Sequence, residues 1–310
     1  MWAVVTLVFL LPRLMPGDPL SALDDPDSGT FIYDDHARAK VAAYYGLDQP
    51  LIAQYADYLS DLAHGDLGWS ISQSAPVSRL IASRLPWTLL LMGSAVIISS
   101  LISFALGVTA GWRRGGRLDR ALIVGSSAAR AVPEYAMASL LLVLFAVLVP
   151  IFPLAGAMTP FARYASPFAA AGDVLRHLAL PLAALSLGLL GNKFLLVRNS
   201  VIGTLGEDYM LLARAKGLPP RMLKFHHSGR NILLPFITVL GVQLGFAAGG
   251  SLFVEAVFAY PGMGTLVNGA VVARDYPLLQ GTFLVLALVV LLANLLVELA
   301  YGAVDPRVYR

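Results

Sequence analysis

The sequence predicts an all-α integral membrane protein: six transmembrane helices, a small helical loop domain outside the membrane, and a short helix inside it suited to a soluble partner. Three observations carry that expectation. Of 310 residues, 57% are hydrophobic and only 13% charged, against about 45–50% and about 25% in soluble domains. The apolar residues gather into blocks near the roughly 20 residues that cross a hydrocarbon core of about 30 Å. The basic residues concentrate in particular loops, which is what fixes orientation across a bilayer.

The first block, Trp2 to Leu14, contains Pro12 and Arg13 and falls short of the about 17 residues needed to span. We read residues 1–15 as a first transmembrane helix that is short or truncated. A signal-peptide core is the alternative, but the basic start and small-residue cleavage pattern of such segments are missing. Residues 16–87 form an outer loop. Within it, Asp34 and Asp35 cap a predicted helix through Tyr45 that stops at Gly46, and Leu51 to Ala63 reads as a second helix ending near Gly65.

Residues 88–310 hold five further spans, near Thr88–Gly111, Leu122–Leu148, Leu178–Val197, Ile232–Val257 and Thr282–Tyr301. Between the second and third spans lie Arg113, Arg114, Arg117 and Arg120, and seven Lys or Arg fall between Lys193 and Asn231. The loop from Pro16 to Trp87 instead holds ten Asp against four basic residues. Cytoplasmic loops are enriched in Lys and Arg, so the basic loops, Arg307, Arg310 and both termini belong inside. The acidic loop belongs outside.

The loop 198–231 carries the most information. Glu207 and Asp208 open a segment that runs through Tyr209, Ala213, Arg214 and Ala215 to Lys216 and Gly217. Acids at its start and a base near its end suit a helix dipole. Gly217 followed by Leu218-Pro219-Pro220 is a helix stop and a new helix entry, the second helix passing through Met222, Leu223 and Phe225. Such a unit either lies along the lipid headgroups or is received by a soluble partner.

These residues resemble the cytoplasmic loop of ABC-importer permeases, and in particular the B-type transmembrane subunit of the dipeptide, oligopeptide and nickel importers. Asp208-Tyr209, Ala213 to Gly217, His227, Arg230-Asn231 and Leu233-Leu234-Pro235 carry the likeness in this loop. It continues through Pro16-Gly17-Asp18-Pro19, Gly46 to Leu51, Gln54-Tyr55 and Gly65 to Gly68 near the start. Glu255, Phe258, Pro261-Gly262, Gly264, Arg274 to Pro277 and Asp305-Pro306-Arg307 extend it toward the end. Departures are Leu211-Leu212-Ala213 where the wider superfamily has Glu-Ala-Ala, and Glu298 where Asp is usual. The resemblance implies a coupling helix over Asp208 to Gly217 that docks into an ATP-hydrolysing subunit. It further implies a second homologous permease, two cytoplasmic ATPases that bind ATP and Mg, an extracytoplasmic substrate-binding protein, and a bacterial inner-membrane location. Peptides are the implied cargo, with a nickel chelate or haem as alternatives.

Gly241, Gly245 and Gly249 repeat every four residues, so they share one helix face where two helices can approach closely. That contact lies either within the subunit or across a permease dimer. Intramembrane charges are functional candidates by default. Glu134 beside Pro133 is expected to pair with Arg130, four residues earlier; direct contact with substrate in the pathway is the second reading. Lys193 and Glu255 lie near span ends and are expected to snorkel.

Catalysis is poorly supported. The chain has no cysteine, no His-Glu-x-x-His pattern and no phosphate-binding Gly-x-x-x-x-Gly-Lys-Ser/Thr. It therefore has no resident metal or cofactor to expect, and ATP hydrolysis would fall to other chains. An intramembrane serine protease would need a histidine at the depth of Ser94, Ser126 or Ser127, and the nearest, His177, begins its span at the outer edge. An ion-coupled secondary transporter is the rival among carriers, although no internal repeat of that class is evident.

Overall fold

A computed structural model describes residues 2–14, 39–40, 42–43 and 48–304. Residues 39–40 and 42–43 of the helix expected from Asp34 to Tyr45 are helical, while the rest of it, the Pro16 to Pro19 motif and the Asp305 to Arg307 motif lie outside the described residues. In chain order the elements are α1 (Trp2–Leu14), α2 (Leu51–Ala63), a hairpin of β1 (Trp69–Ser70) and β2 (Ala75–Pro76), then α3 (Val77–Trp112) and α4 (Arg117–Ala131). After these come α5 (Glu134–Leu142, continued by a π-helical turn over Val143–Leu148), α6 (Pro167–Thr204), α7 (Asp208–Ala215), and α8 (Pro220–Met222, continued by a π-helical turn over Leu223–Ser228). The chain ends in α9 (Gly229–Val257), α10 (Met263–Val272) and α11 (Tyr276–Val304).

Among the described residues, α3, α6 and α11 through Leu299 are long and apolar enough to cross a membrane, and α4 with α5 makes a bent fourth candidate. The chain divides into two compact units, Met1–Thr88 with Pro261–Val289 and Leu89–Tyr260 with Val290–Arg310.

In the first unit, Val5 and Val8 of α1 bury against Leu284 of α11, with Tyr58, Leu59 and Leu62 of α2 packed on them. Arg13 is accommodated by protein. Its guanidinium lies 3.6 Å over the Phe9 ring, its Nε and Nη2 donate to Gln54 Oε1 at 3.1 and 2.8 Å, and its Nη1 donates to the Phe9 carbonyl at 2.8 Å. The loop helix α2 thus supplies a side-chain acceptor beside the backbone carbonyl that α1 itself offers. It ends at His64, with Gly65 at φ +77°.

A second anchor is Asp275, fully buried ahead of α11. One carboxylate oxygen accepts from Ser70 Oγ at 2.6 Å and from Ser72 N and Oγ at 2.8 Å. The other accepts from Leu278 N at 3.1 Å, which is the bond an N-cap residue makes to the first helical turn. The hairpin and the start of α11 are therefore held by one side chain. Residues 77–87, assigned by hydropathy to the loop before the second span, are helical and form the first about three turns of α3, with Val77 and Ile81 buried. α10, too short to span, was not evident from hydropathy.

In the second unit, α3 and α6 meet at Gly107 and Gly111. A Cβ at Gly107 would lie 2.7 Å from Val197 Cβ, and one at Gly111 2.7 Å from Val201 Cβ and 2.8 Å from the Arg198 carbonyl. Val108, Val197, Val201, Ile232 and Phe236 form the core beside that crossing. α6 begins at Ser166, whose Oγ accepts from Ala169 N, followed by Pro167 in the first turn, a favourable start. At 38 residues it is about 57 Å long and outruns the hydrocarbon core.

Gly241 packs inside the subunit, where an added Cβ would meet Val297 Cγ1 of α11 at 3.0 Å. Gly245 and Gly249 lie in α9, but their surroundings are outside the described residues.

Candidate coupling site and buried charges

α7 runs from Asp208 to Ala215 and its end has the hydrogen bonds of a Schellman motif. Gly217 N donates to the Arg214 carbonyl at 2.9 Å and Leu218 N to the Ala213 carbonyl at 3.4 Å, while Gly217 sits at φ +70°. Glycine adopts that left-handed state without a side-chain clash. Leu218 also packs with the cluster of Met210, Ala213 and Leu223, beside Trp112. This hydrophobic contact usually accompanies the motif.

The helix therefore has two faces. Met210 and Ala213 are buried within the subunit. Asp208, Tyr209, Arg214, Ala215 and Lys216 are exposed, as are Leu211 and Leu212, at 53% and 57%. Arg214 lies over the Trp112 ring at 5.8 Å, so one side of its cation is taken by the chain's own indole. Of the residues expected to form this site, Ala213 supports the helix from beneath instead of facing outward. Leu211 and Leu212, which the sequence marked only as departures, supply the exposed apolar surface.

Two further contacts brace the base of this loop. Asp119 of α4 is buried and accepts from Arg198 Nε at 2.5 Å and Nη2 at 2.8 Å, with Gly115 N donating to the same carboxylate at 2.8 Å. A bidentate pair of this kind fixes orientation as well as distance. Lys224 donates to Thr109 Oγ1 at 2.9 Å. Burial first, and repulsion from Arg113 second, hold its ammonium below the ordinary lysine pKa.

The buried charges depart from expectation. Lys193 does not snorkel; it is fully buried and its Nζ donates to Ser99 Oγ at 2.6 Å, Ser100 Oγ at 2.9 Å and the Val96 carbonyl at 3.4 Å. Glu255 is also fully buried, two residues before α9 ends.

Arg130 and Glu134 form no ion pair among the described residues. Val132 at φ −89°, ψ 124° and Pro133 at φ −57°, ψ 145° separate α4 from α5, and the two helices bend by 98°. A residue before proline is driven to extended geometry, so the i,i+4 relation that would have paired the charges does not exist. Each instead lies against a glycine of α6. A Cβ at Gly188 would sit 2.9 Å from Glu134 Cγ, and one at Gly191 2.6 Å from Arg130 Cδ.

The serines considered for nucleophilic chemistry bond to their own helices, Ser94 to the Leu90 carbonyl and Ser126 to the Ile123 carbonyl. His177 Nδ1 is 2.9 Å from the Asp173 carbonyl. No hydrogen bond joins a serine hydroxyl to a histidine ring among the described residues.

Comparison with known proteins gives one family and a consistent set of relatives. A profile described as binding-protein-dependent transport system inner membrane component matches residues 103–310. A protein of Brucella suis biovar 1 carrying a provisional peptide-permease name is 38% identical over 99% of this chain and 94% of its own length. The dipeptide transport system permease protein of Bacillus subtilis is 35% identical, covering 98% and 92%. The glutathione transport system permease protein of Salmonella choleraesuis is 34% identical, covering 98% and 93%. The chain belongs to the family of binding-protein-dependent transport system inner membrane components, the multi-pass permeases of ABC importers.

Proposed function

We propose that this chain is one of two permeases forming the translocation path of an ATP-driven importer of di- or oligopeptides. The observation that carries the proposal is α7, a helix pinned to its own subunit by Met210 and Ala213 while Tyr209, Leu211, Leu212 and Lys216 stay exposed. An exposed apolar face on a basic loop calls for a soluble receiver. In this reading the loop 198–231 docks on a cytoplasmic subunit that binds ATP and Mg and hydrolyses the nucleotide. The names of the relatives support peptide cargo, handed over by an extracytoplasmic binding protein.

The chain then crosses the membrane six times with both termini inside. Residues 16–87 form the outer helical loop, and closure of the ATPases, through α7, moves the spans and switches access. The path opens alternately outward and inward.

The test is uptake of labelled peptide into proteoliposomes containing the whole complex and its binding protein. Uptake should require ATP and survive collapse of the proton and sodium gradients; uptake driven by a gradient without ATP would overturn the reading. Because the chain has no cysteine, orientation is tested directly. Ser74→Cys should react with an impermeant thiol reagent from outside, and Lys216→Cys only after the membrane is opened.

A further inference from the structure

We infer that Arg130 and Glu134 form a two-point subsite for a zwitterion within the translocation path, Glu134 receiving the solute's ammonium group and Arg130 its carboxylate. The inference rests on the proposal that this chain transports peptides, whose free termini carry those two charges.

Four observations converge. Both residues belong to the bent pair α4 and α5, which together are apolar enough to cross a membrane, so neither charge belongs in lipid. Neither has a hydrogen-bonding or ionic partner among the described residues; the extended Val132-Pro133 link removes the one partnership that the sequence offered. Both side chains lie on the same face of α6, where Gly188 and Gly191 are three residues apart, about 4.5 Å along the axis. Finally, these glycines leave the space that the charged side chains occupy. A Cβ at Gly188 would stand 3.0 Å from Glu134 Oε1, and one at Gly191 would overlap Arg130 Cγ.

Opposite charges placed side by side on one wall, yet kept from neutralising each other, suit a ligand with both charges of its own. A lipid-facing position would leave two charges unsolvated. Arg130 is exposed and Glu134 half-buried in the lone chain. A water-filled path accounts for both. It also gives the Pro133 break a purpose, since backbone freed at a broken helix is tolerated where it lines a cavity.

The test has two arms, both on the assembled complex in proteoliposomes. In the first, Glu134→Cys and Arg130→Cys are treated with a charged, impermeant methanethiosulfonate in nucleotide-free and vanadate-trapped states. Both should react in at least one state, at rates that change several-fold between states. Absence of reaction in every state overturns the subsite. In the second, Glu134→Gln and Arg130→Gln are compared with wild type on one peptide offered free, amino-acetylated and carboxy-amidated. Glu134→Gln should lower uptake of the free peptide about tenfold, the scale of one lost charge-assisted hydrogen bond, and the acetylated one far less. Arg130→Gln should discriminate in the same way against the amide. Glu134→Asp should recover part of the loss, and complex yield should be unchanged. Equal losses on all peptide forms, or loss of assembly, would assign these residues to architecture or to the permease interface. Wild-type complex that carries no peptide with ATP would instead remove the functional proposal, while the labelling arm would still report whether the two positions face water.

Discussion

Gly111→Ala adds one methyl group where α3 and α6 are closest, and its effect can be worked out atom by atom. The new Cβ would stand 2.7 Å from Val201 Cβ, 2.9 Å from Val201 Cγ1 and 2.8 Å from the Arg198 carbonyl. Comfortable contacts between carbon atoms are about 3.5–4.0 Å, so the helices must part by roughly 1 Å. The carbonyl cannot turn aside as a side chain could. Overpacking of this kind costs about 1–3 kcal/mol, whereas replacing a helical glycine with alanine returns up to about 1 kcal/mol, and less at Gly111, the last residue but one of α3. Gly125→Ala isolates the second effect, because nothing lies within 4 Å of an added Cβ there. The difference between the variants should therefore be about 1–3 kcal/mol. For a body of this size that is several degrees in Tm, at about 2–4 °C per kcal/mol. The assay is thermal unfolding of the purified chain in detergent, followed by tryptophan fluorescence. Gly107, one turn earlier on the same face, would meet Val197 in the same way, and one separation of the helices relieves both clashes. The double variant Gly107→Ala/Gly111→Ala should thus cost less than the sum of its parts. Equal Tm for Gly111→Ala and Gly125→Ala, or strict additivity of the pair, would refute the close crossing.

Other substitutions probe different parts of the molecule. Gly217→Val, at φ +70°, should cost about 1–2 kcal/mol locally, leaving membrane yield near normal while peptide-stimulated ATP hydrolysis and uptake fall together in reconstituted complex; wild-type transport by this variant would remove α7 as the coupling element. Lys193→Met removes a fully buried cation whose partners Ser99 and Ser100 already bond to the Ala95 and Val96 carbonyls, so its Tm should match or exceed wild type, whereas Lys193→Ala should lose about 2–5 kcal/mol to a cavity. Asp119→Asn takes the buried carboxylate from the partly exposed Arg198 guanidinium and should cost about 1.5–3 kcal/mol, the scale of a charged hydrogen bond, with Asp119→Asn/Arg198→Met recovering part of it; a double variant as unstable as the single one would mean that the pair itself, and not the unpaired charge, supplies the stability.

Local chemistry was legible in the sequence and long-range pairing was not. α2 begins after Pro50 and ends before Gly65 because an amphipathic run framed by proline and glycine leaves few other boundaries. Gly217 could be placed beyond a helix end for the same reason. The spacing signal for the crossing of α3 and α6 was also present, since Gly107 and Gly111 are four apart like Gly241 and Gly245. Nothing in one sequence says which small-residue stripe meets a neighbour. Partners distant along the chain left no trace at all. Asp119 and Arg198 are 79 residues apart, Ser70 and Asp275 are 205 apart, and each such pair appears in the sequence only as two unrelated polar residues. Arg130 and Glu134 failed in the opposite sense. Helical spacing suggested a pair, and the proline between them was strong enough to break the helix.

These contacts connect α7 to the interior by a short route. Its buried face rests on Leu223, and Trp112 at the end of α3 packs against the same cluster. Asp119, just beyond Trp112, clamps Arg198 near the end of α6, and α3 and α6 interlock at Gly107 and Gly111. A force on the exposed side of α7 therefore reaches two long helices at once, through packing without spare volume and through one bidentate ion pair. Close-packed interiors transmit such displacement because they cannot absorb it. Further along α6 lie Gly191 and Gly188, against which Arg130 and Glu134 are seated. Movement of α6 would thus shift the floor beneath the two charges. α6 would thus both answer the proposed coupling site and carry the glycines that seat the proposed subsite, so release of a bound zwitterion would need no separate signal.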